Sequence, residues 1–185
     1  MPYPTLPQTL TTARTRLVRP DPAIAEQLRQ ALLDSYALHQ PFLAWAKPDW
    51  TLDEVRESLQ LSASEFVDPA AEKRFFVLQP DSDAVIGCIG LRPGNDEYEV
   101  GYWASQAFSG KGLLREALTH LLDAIATPVW LTTGIDNQAS QRLAERAGFQ
   151  HAGSKLTELD PSTPRPLYRR AAVLSHFIGI KKLLL

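Results

Sequence analysis

The chain has 185 residues, of which 44% are hydrophobic and 22% are charged, a balance that is ordinary for one soluble globular domain. Its single cysteine, Cys88, excludes an internal disulfide, and no apolar run is long enough to span a bilayer, so we expect a cytoplasmic protein without a membrane anchor. A formal net charge of −2 with mixed signs gives no basic surface for nucleic acid.

The first third of the chain predicts an arm, two helices and an aromatic connector. Residues 1–12 contain three prolines and no periodic pattern, which indicates an arm that is loose or lies along a partner subunit, ahead of a single domain over residues 13–176. Apolar residues at helical spacing predict helices over residues 23–38 and 53–66. The aromatic side chains between them either pack in the core or line a binding surface, and they are Phe42, Trp45 and Trp50.

Cysteine and histidine residues show no catalytic or metal-binding pattern. Cys88 lies in the apolar run of residues 85–90, where a buried structural thiol is a better interpretation than a nucleophile. The four histidines lack the spacing of a metal site, so we expect no bound metal.

The strongest pattern lies between residues 98 and 125. A strand over residues 98–104 leads into Ser109-Gly110-Lys111-Gly112, and a helix with one broad apolar stripe begins at Leu113. Free N–H groups at the helix start, the positive end of its dipole and the close approach that glycine permits together predict an anion-binding cradle. The simpler alternative is a turn that only leads into a helix. A magnesium-dependent phosphate loop is a poor match, because the turn lacks the wider glycine spacing and the following Ser or Thr.

The remaining residues predict the end of a sheet, one short helix and a tail. Strands are predicted over residues 129–133, 153–159 and 166–175. The helix has Asp136 or Asn137 as its N-cap and Gly148 as its C-cap. The tail, residues 177–185, is apolar enough to cover a surface or to form a homodimer contact.

These motifs resemble the GNAT superfamily of acetyltransferases, and more narrowly its RimJ/RimL branch, which acetylates ribosomal-protein N-termini and many other amines. The resemblance rests on four segments in the right order and spacing, which are residues 99–103, 109–112, 137–140 and 147–149. It extends over nearly the whole chain, since residues 14–20 resemble the first strand of the family, and residues 73–79 with 84–91 resemble its central hairpin.

The resemblance implies an α/β (α+β) fold with a mixed, mainly antiparallel seven-stranded sheet flanked by helices and a V-shaped cleft for acetyl-CoA. The implied reaction is direct transfer of an acetyl group to a primary amine, on a protein N-terminus or a small molecule, and Phe42, Trp45 and Trp50 would wall the amine site. The competing interpretation is a catalytically weak acyl-CoA-binding or regulatory module, because Ser109, Leu114 and Ala144 depart from the family pattern.

Contacts to acetyl-CoA follow from the same resemblance. Main-chain groups near Tyr102, Trp103 and Ala104 would bond the pantetheine arm and the thioester at a bulged strand. Asn137 would orient the arm, although helix capping explains this residue as well. The residues expected around the pyrophosphate are Ser109, Gly110, Lys111, Gly112, Leu113 and Leu114.

Three residues are candidates for proton transfer. Glu99 is the first candidate for the general base, acting through a water, and the alternative is a surface carboxylate paired with an arginine. Glu158, expected on the following strand, is the second. Ser140 lies one helical turn after Asn137 and would protonate the departing thiolate, or would only serve the helix start.

Overall fold

The structure is a computed structural model that describes residues 6–158 and 160–173, with the side chain of Asp160 left aside. The tail over residues 177–185, with its predicted dimer contact, lies outside the described residues, and so do the first five residues of the arm and the last two of the final predicted strand. No helix in the described part of the chain is long and apolar enough to cross a membrane.

One sheet runs through the molecule, and all of its neighbouring strands are antiparallel except for one parallel pair. In the described ranges it has eight strands, which are β1 (Thr9–Thr11), β2 (Arg16–Val18), β3 (Lys73–Leu78), β4 (Val85–Pro93), β5 (Tyr98–Ala104), β6 (Val129–Thr132), β7 (Gln150–Thr157) and β8 (Asp160–Arg170). Their spatial order is β1-β2-β3-β4-β5-β6-β8-β7. The parallel pair is β5 with β6, in the middle of the sheet.

The eighth strand is an addition to the seven expected from the sequence. Strand β1 belongs to the segment predicted as an arm, and that prediction is wrong for Thr9–Thr11, which pair with β2 through Leu10 opposite Leu17. Threonine favours strands, and Leu10 packs against the core. Three residues are too few to show a period of two, so the sequence did not indicate this strand.

Strands β7 and β8 also begin earlier than the sequence predicts. Pro161, Pro164 and Pro166 argue against a strand before residue 166, yet β8 starts at Asp160. Proline is tolerated here because β6 pairs only with residues 167–170 of β8, so the earlier part of β8 has a strand partner on one side only. Residues 152–157 of β7 and 160–166 of β8 therefore form a two-stranded extension at the edge of the sheet.

The helices flank both faces of the sheet. They are α1 (Ala25–Asp34), α2 (Tyr36–His39), α3 (Leu52–Val67), α4 (Leu113–Ile125) and α5 (Gln138–Arg146). The helix predicted over residues 23–38 is divided at Ser35, whose buried hydroxyl accepts a 2.9 Å hydrogen bond from the main-chain N–H of Gln106. Thr51 and Glu54 form a capping box at the start of α3.

Apolar side chains fill both layers between helices and sheet. The stripe of α4 packs on one face, and its fully buried members are Ala117, Leu118, Leu121 and Leu122. On the other face α1 and α3 pack against strand residues that include Phe76 and Cys88. Burial raises the pKa of Cys88 to about 12, so its thiol stays protonated, as the structural interpretation requires.

We expect Leu118→Ala to lower the free energy of unfolding by about 2–5 kcal/mol, because Leu118 is fully buried under the sheet and its removal leaves a cavity. Leu61→Ala on α3 is the matched control, since Leu61 is 59% exposed and its loss should change stability by less than about 0.5 kcal/mol. Urea unfolding measures both. Equal losses would show that α4 does not anchor the sheet.

Candidate active site

Strands β5 and β6 separate after two residue pairs. Their register consists of Tyr98 with Val129 and Glu99 with Trp130, although β5 continues to Ala104. The separation opens a gap inside the sheet at the place where the resemblance predicts a V-shaped cleft.

Alternation along β5 determines which main-chain groups face this gap. The N–H of Tyr98 donates to Pro128 at the β6 side, whereas the N–H of Ser105 donates to Ile86 on β4. Because main-chain groups of successive residues point to opposite neighbours, Tyr102 and Ala104 direct theirs into the gap. Trp103, the third predicted residue of this set, directs its main-chain groups to its partner Cys88 on β4.

A left-handed glycine turn borders the gap. Gly110 has φ +76° and Gly112 has φ +74°, a conformation that favours glycine, and Gly112 is the N-cap of α4 without a side-chain cap. Nothing lies within 4 Å of the point that a Cβ on Gly110 would occupy, so the main chain is open there. The turn thus has the geometry of the predicted anion cradle.

Two arginines lie beside this turn, and neither is among the residues predicted from the sequence to form the site. The Nη2 atoms of Arg115 and Arg14 are 3.6 and 4.0 Å from the position of a Cβ on Gly112. Arg14 is held by an ion pair of 2.6 Å to Glu116. A hydrogen bond from Thr12 and contacts with Arg14 keep the pKa of Glu116 below its ordinary value. Arg14 stands about a hundred residues before the turn, and no sequence pattern joins them.

Leu113 and Leu114 extend the turn into the core. Leu113 is partly buried and Leu114 is 5% exposed, so their side chains support the turn from within, and only their main chain remains for an anion. The Leu114 side chain packs against Gly87 on β4. A Cβ added at Gly87 would lie only 3.3 Å from a Leu114 methyl group. Lys111 donates to the carbonyl oxygen of Ala107 at 2.8 Å.

On the other side of the gap, the start of α5 is tied to β5. The side-chain oxygen of Asn137 accepts the N–H of Ser140 at 3.1 Å, which is the capping geometry. The hydroxyl of Tyr102 donates to the Ser140 carbonyl at 2.9 Å, and the Ser140 hydroxyl donates to the Tyr102 oxygen at 3.2 Å. Burial raises the pKa of Tyr102 to about 12, so this phenol holds Ser140 in place and is a poor acid itself.

The two candidate carboxylates do not belong to one site. Glu99 lies on β5, partly exposed, with its carboxylate 3.4 Å from Arg92 on β4. Glu158 is exposed in the turn between β7 and β8, so the prediction that it lies on a strand is wrong. Across the sheet, Glu99 is level with Arg169 of β8, because both pair with Trp130 of β6. Asp160, beside the turn that holds Glu158, lies nine residues before Arg169 on the same strand, which is a distance of roughly 30 Å.

An aromatic cluster that was not predicted from the sequence lies at the end of β5. His39 Nε2 donates to the carbonyl oxygen of Ala104 at 2.8 Å, since a carbonyl oxygen only accepts. The His39 ring makes edge contacts with Trp45 at 5.8 Å and Trp103 at 5.3 Å between ring centroids. Burial lowers the pKa of His39. The histidines had been considered only as metal ligands, and no local pattern indicated this contact.

The aromatic connector spans the mouth of the gap. His39 contacts the end of β5, and a ring carbon of Phe42 lies 3.7 Å from the Cβ position of Gly134, just after β6. Phe42 and Trp45 are 42% and 43% exposed. Trp50 instead packs against the cluster between α1 and α3, with Lys47 4.7 Å above its ring, so its surroundings are those of a packing residue.

Metal ligation has no support in the part of the chain that the structure describes. Over residues 6–158 and 160–173, no three side chains among His, Cys, Asp and Glu come together in a group that could hold a metal ion.

Comparison with solved structures places the fold among acetyltransferases. The RimL ribosomal L7/L12 α-N-protein acetyltransferase in complex with coenzyme A superposes with a TM-score of 0.77 at 20% identity, over 88% of this chain and 97% of that one. The microcin C7 self-immunity acetyltransferase MccE, in complex with acetyl-CoA and AMP, gives 0.77 at 18% identity, over 86% and 93%. An acetyltransferase from Salmonella typhimurium that modifies the N-terminal serine of L7/L12 gives 0.73 at 21% identity, over 88% and 97%.

Sequence comparison identifies the family. No curated protein sequence matches the chain. The sequence profile of the acetyltransferase (GNAT) domain matches residues 14–150, which include the separated strands, the glycine turn and the capped start of α5. Because this match covers well over half of the 185 residues and agrees with the fold, the chain belongs to the GNAT family of acetyltransferases.

Proposed function

We propose that this protein transfers the acetyl group of acetyl-CoA directly to a primary amine, within a complex that holds both substrates. The observation that carries the proposal is the separation of β5 from β6 beside an open glycine cradle. The main-chain groups of Tyr102 and the N–H of Ala104 that face the gap lack their usual strand partner and can bond an extended ligand, as an added strand would, while the Ala104 carbonyl already accepts from His39.

The cradle fits the pyrophosphate of coenzyme A. Gly110 and Gly112 expose main-chain N–H groups at the positive end of α4, and the guanidinium groups of Arg14 and Arg115 lie next to them. Bound there, acetyl-CoA supplies an activated thioester, and the N–H groups at the gap are donors for its carbonyl oxygen.

Proton transfer falls to the chain's own polar groups. Glu99 accepts the proton of the incoming ammonium through a water. Its carboxylate is also paired with Arg92, which is the contact that the alternative interpretation expects. The hydroxyl of Ser140, which turns away from Tyr102 to do so, is the donor for the thiolate. Ala144 is fully buried in the core and offers no hydroxyl, so α5 supplies this donor from its first turn.

The acceptor enters beneath the aromatic connector, between Phe42 and Trp45. Both rings are partly exposed at the mouth of the gap and give the amine an apolar surface. Protein N-termini belong to the acceptors we propose, because the RimL structures with this fold act on the N-terminus of L7/L12. A panel with a serine-initiated peptide, phenethylamine and spermidine, followed by release of free thiol, tests the reaction. Acetyl-CoA binding without turnover of any amine would instead support the weak binding module.

Gly112→Asp should abolish the stabilisation by acetyl-CoA while retaining the fold. The new carboxylate would lie beside Arg14 and Arg115 and occupy the anion site. At 100 times its dissociation constant, acetyl-CoA should stabilise the wild type by about 2.7 kcal/mol. Gly153→Asp is the matched control, since Gly153 also has a positive φ, +95°, but lies on the β7–β8 extension. Thermal melting measures the shift, and an unchanged shift in Gly112→Asp would refute the cradle.

Glu99→Gln should reduce turnover roughly 10²-fold or more at neutral pH, with nearly unchanged acetyl-CoA affinity, because the amide keeps the shape and loses basicity. Raising the pH should partly restore turnover, since more of the amine then arrives without its proton. Glu57→Gln on the exposed side of α3 serves as the control. Steady-state kinetics from pH 6 to 9 measure the effect, and wild-type rates for Glu99→Gln would move the role to water.

Trp45→Ala should raise the acceptor KM and leave both the acetyl-CoA affinity and the melting temperature close to wild type, because Trp45 is 43% exposed. Trp50→Ala is the contrasting variant, since Trp50 packs against the α1–α3 cluster and its loss should lower the melting temperature and weaken both substrates. Melting temperatures measured beside both kinetic constants separate the two roles. An early-melting Trp45→Ala with both constants degraded would make Trp45 a packing residue.

A further inference from the structure

Gly101, in the middle of β5, has no structural reason to be glycine. Nothing lies within 4 Å of the point that a Cβ would occupy, and its φ is not among the positive values of the chain. Glycine inside a strand weakens it, and it often marks a place where a ligand approaches closely. Gly87 on β4 is the opposite case, because a Cβ there would overlap the carbonyl oxygen of Trp103 and lie 3.2 Å from the Cα of Ala104.

The space above Gly101 is bordered by carboxylates at one end. Side chains two residues apart share a face of a strand, so Glu99 and Trp103 lie on the same face as this space. Across the ladder Gly101 pairs with Gly90, and the carboxyl carbon of Glu72 lies 3.1 Å from the Cβ position of Gly90. Gly101 therefore leaves an open space on this face, with the Glu99 carboxylate beside it along β5 and the Glu72 carboxylate covering the neighbouring Gly90.

Each of these carboxylates is paired with an arginine on the same face of the sheet. Glu72 contacts Arg74 at 2.7 Å and Glu99 contacts Arg92 at 3.4 Å. Arg74 also donates to Ser62 at 2.7 Å and contacts Glu65 at 3.3 Å, which keeps its guanidinium on the α3 side. Each acid keeps oxygen lone pairs for a further donor, since a carboxylate accepts several hydrogen bonds.

Aromatic rings border the other end of the space. Trp103 contacts Trp45 with 6.1 Å between ring centroids, and the partly exposed face of Trp45 continues the apolar surface toward the mouth of the gap. Polar acceptors at one end and rings at the other match an ammonium group attached to an apolar body.

We propose that the acceptor amine lies over Gly101, with its nitrogen toward Glu99 and Glu72 and an aromatic or similarly apolar group against Trp103 and Trp45. This rests on the proposed acetyl transfer and narrows its substrate class to primary amines that carry such a group near the nitrogen. Gly101 determines this specificity, because any side chain there occupies the acceptor's place. Glu72 is a further binding residue.

Two conjugates of coenzyme A test the proposal without relying on turnover. In the first, the sulfur carries an acetamide whose nitrogen bears a phenethyl group, and the second is the same acetamide without that group. In the wild type the phenethyl conjugate should bind at least about tenfold more tightly than the simple acetamide. Isothermal titration measures both affinities, and their ratio reports only the acceptor side.

Gly101→Val should bring this ratio close to one, and Gly101→Ala should reduce it partly. Affinity for the simple acetamide and the melting temperature should stay at or above wild type, because the site has room and valine favours strands. Gly87→Ala is the matched contrast, in which the melting temperature and both affinities should fall together. Glu72→Gln should weaken both conjugates several-fold and leave their ratio near the wild-type value, because both carry the amide N–H that stands for the acceptor nitrogen.

The outcomes distinguish failure of the acceptor assignment from failure of the proposed acetyl transfer. A wild-type ratio near one, or a ratio that Gly101→Val leaves unchanged, overturns the acceptor assignment and leaves acetyl transfer standing. A wild-type protein that binds neither conjugate nor acetyl-CoA overturns the proposed function itself.

Discussion

The interrupted pairing between β5 and β6 is the constraint on which the rest of the site depends. Main-chain polar groups inside a sheet need partners, and separating two central strands removes them. Side chains from both faces hold this opening. On one face Tyr102 bonds to Ser140 at the start of α5, and on the other His39 donates to the carbonyl of Ala104. The remaining main-chain groups of Tyr102 and Ala104 are free of a strand neighbour on that side, which makes the gap a place for an extended ligand.

Local charge at the cradle differs from the charge of the whole chain. The protein carries a net charge of −2, yet the glycine turn combines a helix N-terminus with Arg14 and Arg115. Glu116 orients Arg14 through an ion pair of 2.6 Å, and Thr12 supports that carboxylate. The anion site that we propose at the cradle therefore depends on local geometry and not on the charge of the whole chain.

The acceptor side that we propose combines apolar rings with a neutral imidazole. Burial lowers the pKa of His39, so its ring stays uncharged at neutral pH and does not repel an incoming ammonium. The same residue ties the aromatic connector to the end of β5, and Phe42 reaches the loop after β6. The connector therefore joins the two sides of the gap.

Residues close together in the chain were enough to predict the local features of this protein. These are the apolar stripe of α4, the glycine turn, a capped start of α5 at Asp136 or Asn137, and the order of motifs that indicates the family. Roles for Glu99, Ser140, Phe42 and Trp45 stay predictions. The remaining features depend on contacts between residues far apart in the chain, and these became visible only in the tertiary structure. It placed Glu158 in a distant turn, brought Arg14 to the cradle, grouped His39 with two tryptophans, and added β1 at the sheet edge. A period along one strand shows which residues share a face, but only packing shows what meets that face.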